Sequence, residues 1–576
     1  MARLSELDIL IIDCQTTGAS PAHGVVLEIG WGVEQAGPRE TGPHGAAGQQ
    51  AATVHAGVRQ LESHWITLPE GQRVSSQVRR LTGFDPATVL STLAPSEAWQ
   101  RLRATMGGGD RIPTAIHFAK FELPFLREWA AAFEPDAGFP LDVVCVHAIA
   151  SRLYPDLPRR SIRALAGFLG HGLDPARRCL GHVEATAFIW RKLRAELGAR
   201  GIDTWQELAA WLATPAPPRP KKRRYPMPRA TIRALPDAPG VYRFLRSNGD
   251  VLYIGKAASL RKRVASHFTL GSSTTERALE MLTQVHDIRP TPTGSALEAA
   301  LLENEEIKAI APPYNIQLLD SAPHTWFFDQ RLDTCTPEPD ATHRRGPLPS
   351  TFSVRALRAI QLLARGEPPA RALSAHALGI AERWAPGDGV FADGLARFLT
   401  RHAIEPGGGI DRALLLAARH LLAAKPEVLS PTPTDSDDPR DSPSPAGNWD
   451  PERVLRHLER GITHAHQLLQ RARWLCLIYD SDIVFREPGS ERSRLLSVRA
   501  GRLSEANDFS VDAVHAPLPY RPRSERQAGF DRARYDRLRT LTTELKRILR
   551  DGGVARVRVR RRWLEGAVLA ALLRWV

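Results

Sequence analysis

The pattern of apolar and polar positions predicts a buried strand near the start of the chain and a hairpin near its middle. Residues 7–12 are predominantly apolar, which is typical of a buried strand. Two further apolar runs, at 241–245 and 251–254, stand on either side of the pair Asn248-Gly249. Asn-Gly supplies the positive φ values of a tight hairpin turn. We therefore predict that these two runs pair as antiparallel strands.

Helical patterns follow the predicted hairpin. Ser295 and Glu298 have the spacing of a capping box, and Pro312 with Pro313 cannot continue a helix, so we predict a helix from 297 to about 310. Between 352 and 425, apolar residues recur at helical spacing, which predicts helices that pack into a core. These residues include Leu357, Ile360, Leu363, Leu414, Leu415 and Leu421.

The last part of the chain changes to strand patterns. Short apolar runs at 475–479, 483–485 and 495–498 predict three strands. Asp480 and Asp482 lie in the predicted turn between the first two, and turn chemistry alone explains them. Near the end, arginines alternate with valines, which predicts a strand with one basic face. Both an exposed edge strand and a strand that contacts DNA fit this pattern of Arg556, Arg558, Arg560, Arg561 and Arg562.

Three segments have the composition of linkers or excursions. Residues 214–228 are rich in proline and basic residues, so we predict an extended spacer that can also lie along phosphates. Residues 425–451 are rich in Pro, Ser, Thr and Asp, which predicts disorder. A polar insertion at 37–56 is typical of a surface excursion.

Charge and cysteine usage narrow the function classes. A net charge of +14 suits a polyanionic partner, although an arginine-rich composition can also reflect coding bias. The five cysteines have no paired spacing, which argues against zinc sites, iron-sulfur clusters and disulfides and for a reducing cytoplasm. We expect a cytoplasmic protein without a membrane partner, because we find no signal segment and no apolar run of the roughly 18 residues that a membrane span needs.

The predicted hairpin carries the most informative chemistry in the chain. Pairing of the two strands would bring Tyr242 and Tyr253 together, and Gly255 would let another backbone or a phosphate approach closely. Basic residues follow at helical spacing, where a phosphate would be favoured. They are Lys256, Arg261, Lys262 and Arg263, and Lys221, Lys222, Arg223 and Arg224 of the basic linker are further candidates for DNA contact.

Gly240-Val-Tyr242, ten intervening residues and Tyr253-Ile-Gly-Lys256 together resemble the GIY-YIG nucleases, in particular the N-terminal nuclease domain of bacterial excinuclease C, the nucleotide excision repair protein. Residues 298–308 and 313–315 look like the matching segment of that protein. The resemblance implies that Glu303 is the one metal-binding carboxylate, that Arg263 holds the scissile phosphate and that Asn315 closes the site. A single carboxylate suits Mg²⁺ or Mn²⁺, which take further ligands from water and from phosphate.

The resemblance implies in-line hydrolysis of a DNA phosphodiester. Tyr253 would help to deprotonate the attacking water, and Tyr242 would hydrogen-bond that water or Tyr253. A free phenol has a pKa of about 10, so this role needs Lys256 or a nearby guanidinium to lower the pKa of Tyr253. Each residue also has an ordinary structural explanation, as a half-buried sheet tyrosine, a solvated basic face or a surface carboxylate such as Glu303.

Three motifs in the first 200 residues resemble the DEDDh exonucleases, typified by the proofreading epsilon subunit of bacterial replicative DNA polymerase. They are Asp13-Cys-Gln15, His117-Phe-Ala-Lys-Phe-Glu122 and Arg177-Arg-Cys-Leu-Gly-His182. The family holds two metal ions with four acidic residues and uses a histidine base. Of the four acidic positions, only Asp13 is unchanged. The other three carry Gln15, Glu122 and His182, and the position of the histidine base carries Arg177.

These departures predict an exonuclease-like domain that is inactive or severely weakened. Gln15 is neutral, Glu122 is longer than the expected aspartate, and Arg177 cannot accept a proton. Two cations about 4 Å apart need more negative charge than remains. The alternative is that Asp13, Glu122 and His182 still bind one metal ion, with Glu184 recruited to help.

We therefore predict an α/β multidomain protein: a ribonuclease H-like exonuclease fold, then a small α+β GIY-YIG domain and a mixed C-terminal domain. By resemblance it would be a metal-dependent DNA endonuclease in DNA repair, nicking one strand as in the 3′ incision of nucleotide excision repair, with DNA and other repair proteins as partners. The alternatives are a 3′-5′ exonuclease and a non-catalytic DNA-binding scaffold. The predicted boundaries are 1–212 for the exonuclease-like domain, 213–230 for the linker, 231–320 for the GIY-YIG domain, 321–424 for a helical region, 425–451 for a second linker and 452–576 for the C-terminal α+β region.

Overall fold

The structure, a computed structural model, describes most of the chain. The described residues are 3–36, 58–105, 107, 111–172, 178–218, 223–269, 275–315, 324–367, 389–405, 409–424, 450–504, 507–508, 518–574 and 576. The predicted excursion at 37–56 and most of the predicted linker at 425–451 lie outside these residues. Within the described part of the chain, no helix combines the length and the apolar character that crossing a membrane requires.

The N-terminal region is built on a five-stranded sheet in the order β3-β2-β1-β4-β5. Strand β1 runs antiparallel to β2 and parallel to β4, so the sheet is mixed. The strands are β1 (Ile9–Thr16), β2 (Val26–Glu34), β3 (Val58–Trp65), β4 (Ile112–Ile116) and β5 (Leu141–Cys145). The helices are α1 (Ser76–Thr82), α2 (Pro95–Thr105), α3 (Ala119–Phe133), α4 (Val146–Leu153), α5 (Ile162–Phe168), α6 (Cys179–Gly198) and α7 (Trp205–Ala213). This arrangement confirms the predicted α/β fold class.

Strand β1 is central because its side chains are buried on both faces. Ile9 and Ile11 belong to one hydrophobic cluster, whereas Leu10 and Ile12 belong to another. Alternate residues of a strand point to opposite faces, so an apolar run without alternation is typical of a strand covered on both sides. The strand delivers Asp13 at its carboxyl end, between helices that cover both faces.

The middle region contains the predicted hairpin and a three-stranded antiparallel sheet in the order β7-β6-β8. Gly249 in the turn has a φ of +90°, as the Asn-Gly pair predicted. The predicted capping residue Ser295 accepts a hydrogen bond from the backbone N–H of Glu298. The elements are α8 (Arg229–Arg233), β6 (Gly240–Leu245), β7 (Val251–Ala257), α9 (Leu260–Phe268), α10 (Glu276–Gln284), β8 (Asp287–Pro292) and α11 (Ala296–Ile310).

The remaining elements form a small sheet, a group of helices and a second larger sheet. The larger sheet has the order β14-β13-β12-β16-β17, with β15 paired to β13. The strands are β9 (Trp326–Phe328), β10 (Cys335–Thr336), β11 (Arg345–Leu348), β12 (Ser481–Arg486), β13 (Arg494–Arg499), β14 (Arg502–Leu503), β15 (Asn507–Asp508), β16 (Val554–Val559) and β17 (Arg562–Glu565). The helices are α12 (Phe352–Ala364), α13 (Gly389–Arg401), α14 (Ile410–Ala424), α15 (Pro451–Ile478), α16 (Arg523–Ala528), α17 (Arg532–Arg550) and α18 (Gly566–Arg574).

The prediction of a strand at 475–479 was wrong, because 475–478 form the last turn of the long helix α15. Trp474, Leu475 and Ile478 are all buried, and this spacing suits one face of a helix as well as a short buried strand. A short apolar run cannot distinguish these two cases. The strands predicted at 483–485 and 495–498 are confirmed within β12 and β13.

The explanation of Asp482 as a turn residue was also wrong. Asp482 lies within β12, is fully buried and accepts hydrogen bonds from Arg499 and Arg558. Strand β16, which carries Arg556 and Arg558, lies between β12 and β17 and is not an edge strand. Arg556 pairs with Glu565 at 2.8 Å, so two arginines of the predicted basic face are occupied by carboxylates.

The N-terminal region docks against the middle region through α5 and α10. Arg159 pairs with Glu276 at 2.9 Å, and the Ser161 hydroxyl donates to Glu280 at 2.8 Å. Gly167 lies so close to the side chain of Gln284 that a Cβ on this glycine would stand 1.8 Å from Oε1. The two regions are therefore packed tightly at this point.

Replacing Gly167 with alanine is expected to lower the free energy of unfolding by about 1–3 kcal/mol, which is the usual cost of overpacking. Gln284 cannot move aside easily, because it is buried and bonded to Arg246 and to Tyr314. Chemical denaturation would measure the loss. Gly138→Ala is the control, because a Cβ at Gly138 meets no atom within 4 Å; equal stability of the two variants would contradict the prediction.

Candidate active site

The hairpin places the two predicted tyrosines side by side. Tyr242 on β6 stands opposite Gly255 on β7, and Phe244 stands opposite Tyr253. The rings of Tyr242 and Tyr253 have centroids 6.1 Å apart. Tyr242 is fully buried, whereas Tyr253 is partly exposed. Of the two phenols, Tyr253 is therefore the one that a substrate can reach.

Gly255 is required by this close pairing. A Cβ at this position would lie 2.5 Å from the hydroxyl oxygen of Tyr242 and 2.8 Å from Cε1 of Tyr253. We expect Gly255→Ala to push both rings out of place and to reduce DNA cleavage about 10²-fold, the effect of an ångström-scale misplacement. Cleavage assays with Gly138→Ala as the control would check this, and wild-type rates in Gly255→Ala would contradict it.

Helix α9 contributes Arg263 and His267 to the same site. The Tyr242 hydroxyl and Nε2 of His267 are 2.7 Å apart. Burial lowers the pKa of His267 to about 4, and Arg263 adds to this effect, so the ring is neutral at ordinary pH. A neutral Nε2 can accept the Tyr242 proton, which leaves the oxygen of Tyr242 as an acceptor for a neighbouring group.

His267 is a site residue that sequence reasoning missed. It follows Arg263 by four positions, so both lie on one face of α9. That spacing was a usable signal, because a histidine one helical turn after Arg263, the arginine predicted to hold the phosphate, lies on the same side of the helix as that arginine. The pattern of apolar and basic residues alone gave no reason to distinguish His267 from other residues of the helix.

Helix α11 places Glu303 beside the end of β7. Oε1 of Glu303 accepts a hydrogen bond from the backbone N–H of Lys256 at 2.9 Å. Burial raises the pKa of Glu303 above its ordinary value, and the charge of Lys256 opposes this shift. A cation would favour the charged form, because it replaces the solvation that burial removes.

The donor set fits Mg²⁺ or Mn²⁺ but not a fully protein-ligated metal. Among the described residues, no group of three or more His, Cys, Asp or Glu side chains could hold an ion. Glu303 therefore offers one carboxylate, and water with substrate phosphate would have to complete the shell. Mg²⁺ is commonly bound in this way.

Of the two cations predicted to lower the pKa of Tyr253, a nearby guanidinium rather than Lys256 acts on it in the structure. Burial raises the pKa of Tyr253, Glu303 adds to the increase, and Arg263 opposes it. The ammonium of Lys256 instead pairs with Glu544 at 2.6 Å, because α17 presents that carboxylate to it. Arg263 is thus the cation that favours the ionised form of Tyr253.

Asn315 is bonded to β7, the strand that carries Tyr253. Its Oδ1 accepts from the backbone N–H of Ile254 at 2.9 Å, and its Nδ2 donates to the carbonyl of Ile254 at 2.8 Å. The oxygen and the nitrogen of the Asn315 amide both bond the backbone of β7 at Ile254, which lies between Tyr253 and Gly255. Asn315 therefore fixes the strand that carries the site, and its predicted closing role stays a prediction.

The predicted DNA-contacting residues lie in different environments. Arg261 and Lys262 are exposed on α9, although Arg261 also donates to the carbonyl of Leu235 at 2.7 Å. Arg223 and Arg224 are exposed in the linker, where the backbone of Arg224 bonds Asp156. Lys221 and Lys222 lie outside the described residues.

The exonuclease-like motifs meet at the end of β1. Asp13 is buried and pairs with Nδ1 of His182 at 3.0 Å. Oε2 of Glu122 accepts from the backbone N–H of Cys14 at 2.9 Å, and burial with the charge of Asp13 raises the pKa of Glu122 well above its ordinary value. Gln15 is half-buried beside them. Arg177 falls outside the part of the chain that the structure describes.

Sequence reasoning also missed Glu28, a fully buried carboxylate on β2. Arg178 pairs with it at 2.5 Å and lies over the ring of Trp65, 4.4 Å from the centroid. Asp13 and Glu28 are therefore each matched by a nitrogen side chain. Arg178 neutralises the charge of Glu28, and burial beside Asp13 disfavours the ionised form of Glu122, so little of the negative charge that a two-metal site needs remains.

Parts of the chain match known proteins. Residues 238–316 match the family model described as the UvrC-like GIY-YIG domain. The chain is 28% identical over 337 residues to the "Putative bifunctional exonuclease/endonuclease protein MT2247" of Mycobacterium tuberculosis, which covers 58% of this chain and 48% of that protein. It is 41% identical over 138 residues, 22% of each chain, to UvrABC system protein C of Alkalilimnicola ehrlichii.

A solved structure also aligns with the GIY-YIG region. The N-terminal GIY-YIG endonuclease domain of UvrC from Thermotoga maritima, bound to magnesium as its catalytic divalent cation, is 32% identical. The alignment covers 15% of this chain and 94% of that domain, with a TM-score of 0.14. The chain spans 48% and 22% of the two curated relatives named above, so each similarity covers only part of that protein. The family match confirms the predicted resemblance for one segment: residues 238–316 belong to the UvrC-like GIY-YIG domain family.

Proposed function

We propose that this chain is a metal-dependent DNA endonuclease that hydrolyses phosphodiester bonds through its GIY-YIG domain. The observation that carries the proposal is the convergence of Tyr242, Tyr253, Arg263 and Glu303, which come from two strands and two helices. The similarity to UvrABC system protein C supports a role like the 3′ incision of nucleotide excision repair. Other repair proteins would then locate the damaged DNA, and this protein would act in the cytoplasm.

The proposed chemistry assigns one task to each side chain. In its ionised form, Tyr253 accepts the proton of the attacking water; Arg263 favours that form and holds the scissile phosphate, whereas burial and Glu303 oppose it. With Nε2 of His267 unprotonated, the Tyr242 hydroxyl donates to it over 2.7 Å, and its oxygen can then accept a hydrogen bond from the water. Glu303 would hold Mg²⁺ or Mn²⁺, which supplies charge stabilisation for the phosphate and the leaving oxygen.

The proposed role of the N-terminal region is non-catalytic. Glu28 is paired with Arg178, the Asp13 carboxylate is hydrogen-bonded to His182, and burial beside Asp13 disfavours the ionised form of Glu122, which leaves little charge for two cations. We propose that this exonuclease-like region contributes DNA binding or structural support. We also propose that the domain boundaries are those predicted from the sequence.

The test is a cleavage assay on end-labelled duplex, plasmid and single-stranded DNA with Mg²⁺ or Mn²⁺. The wild-type protein is compared with Glu303→Ala and with Asp13→Ala. Internal nicks that disappear only in Glu303→Ala support the proposal. Ladders that start at the 3′ end and disappear only in Asp13→Ala would show instead that the N-terminal region is an exonuclease.

A further inference from the structure

The C-terminal helix α17 lies along α11, the helix that carries Glu303. Asn304 donates to the hydroxyl of Thr540 at 3.0 Å, and Lys308 pairs with Asp536 at 2.5 Å. Leu297 of α11 belongs to the same hydrophobic cluster as the buried residues of α17. The contact is therefore continuous along the helix and combines apolar packing with polar pairs.

One of these contacts reaches the active site. The ammonium of Lys256 pairs with Oε1 of Glu544 at 2.6 Å, and Oε2 of Glu544 pairs with Arg547 at 2.6 Å. Arg547 in turn donates to both oxygens of Glu487, at 3.0 and 2.8 Å. Glu487 also accepts the backbone N–H of Leu297 at the start of α11. A chain of charge-assisted bonds thus joins the site to the start of α11.

Lys256 is held both by its backbone and by its side chain. Its backbone N–H donates to Glu303, and its side chain is fixed by Glu544. The side chain of Glu544 is only 5% exposed, and Arg547 holds its other carboxylate oxygen, so the carboxylate has a fixed position from which it holds the Lys256 ammonium. A buried charge holds its partners firmly, because leaving it unpaired is costly.

We propose that Glu544 is a positioning residue for the carboxylate of Glu303, and that it acts through Lys256. The C-terminal region, which the sequence left without a role, then completes the metal site of the GIY-YIG domain. The inference rests on the proposed function only in taking Glu303 as the ligand of a divalent cation. Groups that orient a metal ligand from outside commonly change metal affinity or activity 10–100-fold.

The test measures Mn²⁺ binding by the full-length protein without DNA, using the electron paramagnetic resonance signal of the free ion. Wild type, Glu544→Gln and Asp536→Asn are compared. Asp536→Asn is the matched control, because it removes a pair between α17 and α11 without touching Lys256. We expect Glu544→Gln to weaken Mn²⁺ binding roughly 10–100-fold, and Asp536→Asn to leave it within about twofold of wild type.

A second comparison separates positioning from general damage. In a Lys256→Met background, adding Glu544→Gln is expected to weaken Mn²⁺ binding no further, because the side-chain link is already cut. Thermal unfolding of each variant shows whether the fold is kept. Equal losses in Glu544→Gln and Asp536→Asn would overturn the inference, and so would additive losses in the double variant or tighter Mn²⁺ binding in Glu544→Gln.

Failure of the proposed function gives a different result. If the wild type binds Mn²⁺ through Glu303 but nicks no DNA, the endonuclease proposal fails while the binding comparison still decides the role of Glu544. If Glu303→Ala binds Mn²⁺ as well as the wild type, Glu303 is not the ligand and the inference about Glu544 is overturned.

Discussion

Replacing Glu303 with glutamine is expected to reduce DNA nicking by roughly 10³-fold or more while the protein stays folded. Glu303 offers the carboxylate of a site in which no group of three or more metal-binding side chains occurs among the described residues. Without it, a divalent cation has lost its anionic protein ligand, and the several kcal/mol that a cation contributes to the transition state are lost. Each 1.36 kcal/mol corresponds to about a tenfold change in rate.

The same substitution should not destabilise the fold. Burial raises the pKa of Glu303, which means that the ionised carboxylate is disfavoured in the folded protein without metal. A neutral glutamine removes this cost and can still accept from the backbone N–H of Lys256. Thermal unfolding without metal should therefore give a midpoint equal to or above that of wild type.

Glu305→Gln is the matched control for Glu303→Gln. Glu305 lies on the same helix, but its carboxylate is half-exposed and pairs with Arg537 at 3.0 Å on another face. We expect nicking by this variant to stay within about twofold of wild type. Loss of activity in Glu305→Gln, or full activity in Glu303→Gln, would show that the metal carboxylate has been assigned wrongly.

Replacing Tyr253 with phenylalanine is expected to slow cleavage by about 10²–10⁴-fold, the usual contribution of a general base. Tyr253 is the partly exposed phenol of the pair, and Arg263 is the cation that favours its ionised form. Phenylalanine keeps the ring contacts with Tyr242 and Phe244, so the fold should be retained. Single-turnover nicking at saturating protein would measure the chemical step directly.

Tyr314→Phe is the control for loss of a hydroxyl in the same region. The Tyr314 hydroxyl donates to Glu280 at 2.9 Å and accepts from Gln284, away from Glu303. We expect this variant to lose some stability and to keep its single-turnover rate. If Tyr253→Phe cleaves as fast as Tyr314→Phe, the base is another group, and water near Arg263 becomes the first alternative to examine.

The sequence predicted those parts of the site whose signals are local. The Asn248-Gly249 turn fixes the strand pairing that brings Tyr242 near Tyr253, and the cap at Ser295 fixes the start of the helix that carries Glu303. Both follow from residues only a few positions apart. Short-range turn and capping chemistry therefore predicted this part of the fold correctly.

The features that sequence reasoning missed depend on distant residues. Glu544 is 288 positions from Lys256, so the sequence could not show that the ammonium is already paired. Glu28 and Arg178 are 150 positions apart, and their pairing is visible only once β2 and α6 meet. At 475–479 the error was different, because a short buried run has the same composition in a helix and in a strand.

The shared cluster beneath α11 has a consequence for cutting the chain into pieces. Leu297 and Leu301, which are 0% and 8% exposed, pack with residues that lie more than 170 positions later in the sequence. A fragment that ends at residue 320 would present both leucines to water, at a cost of about 1.5–3 kcal/mol for each fully buried side chain. The segment that its motifs identify as a nuclease is thus smaller than the segment that we expect to be soluble when expressed alone. Truncated proteins are best designed to retain helix α17.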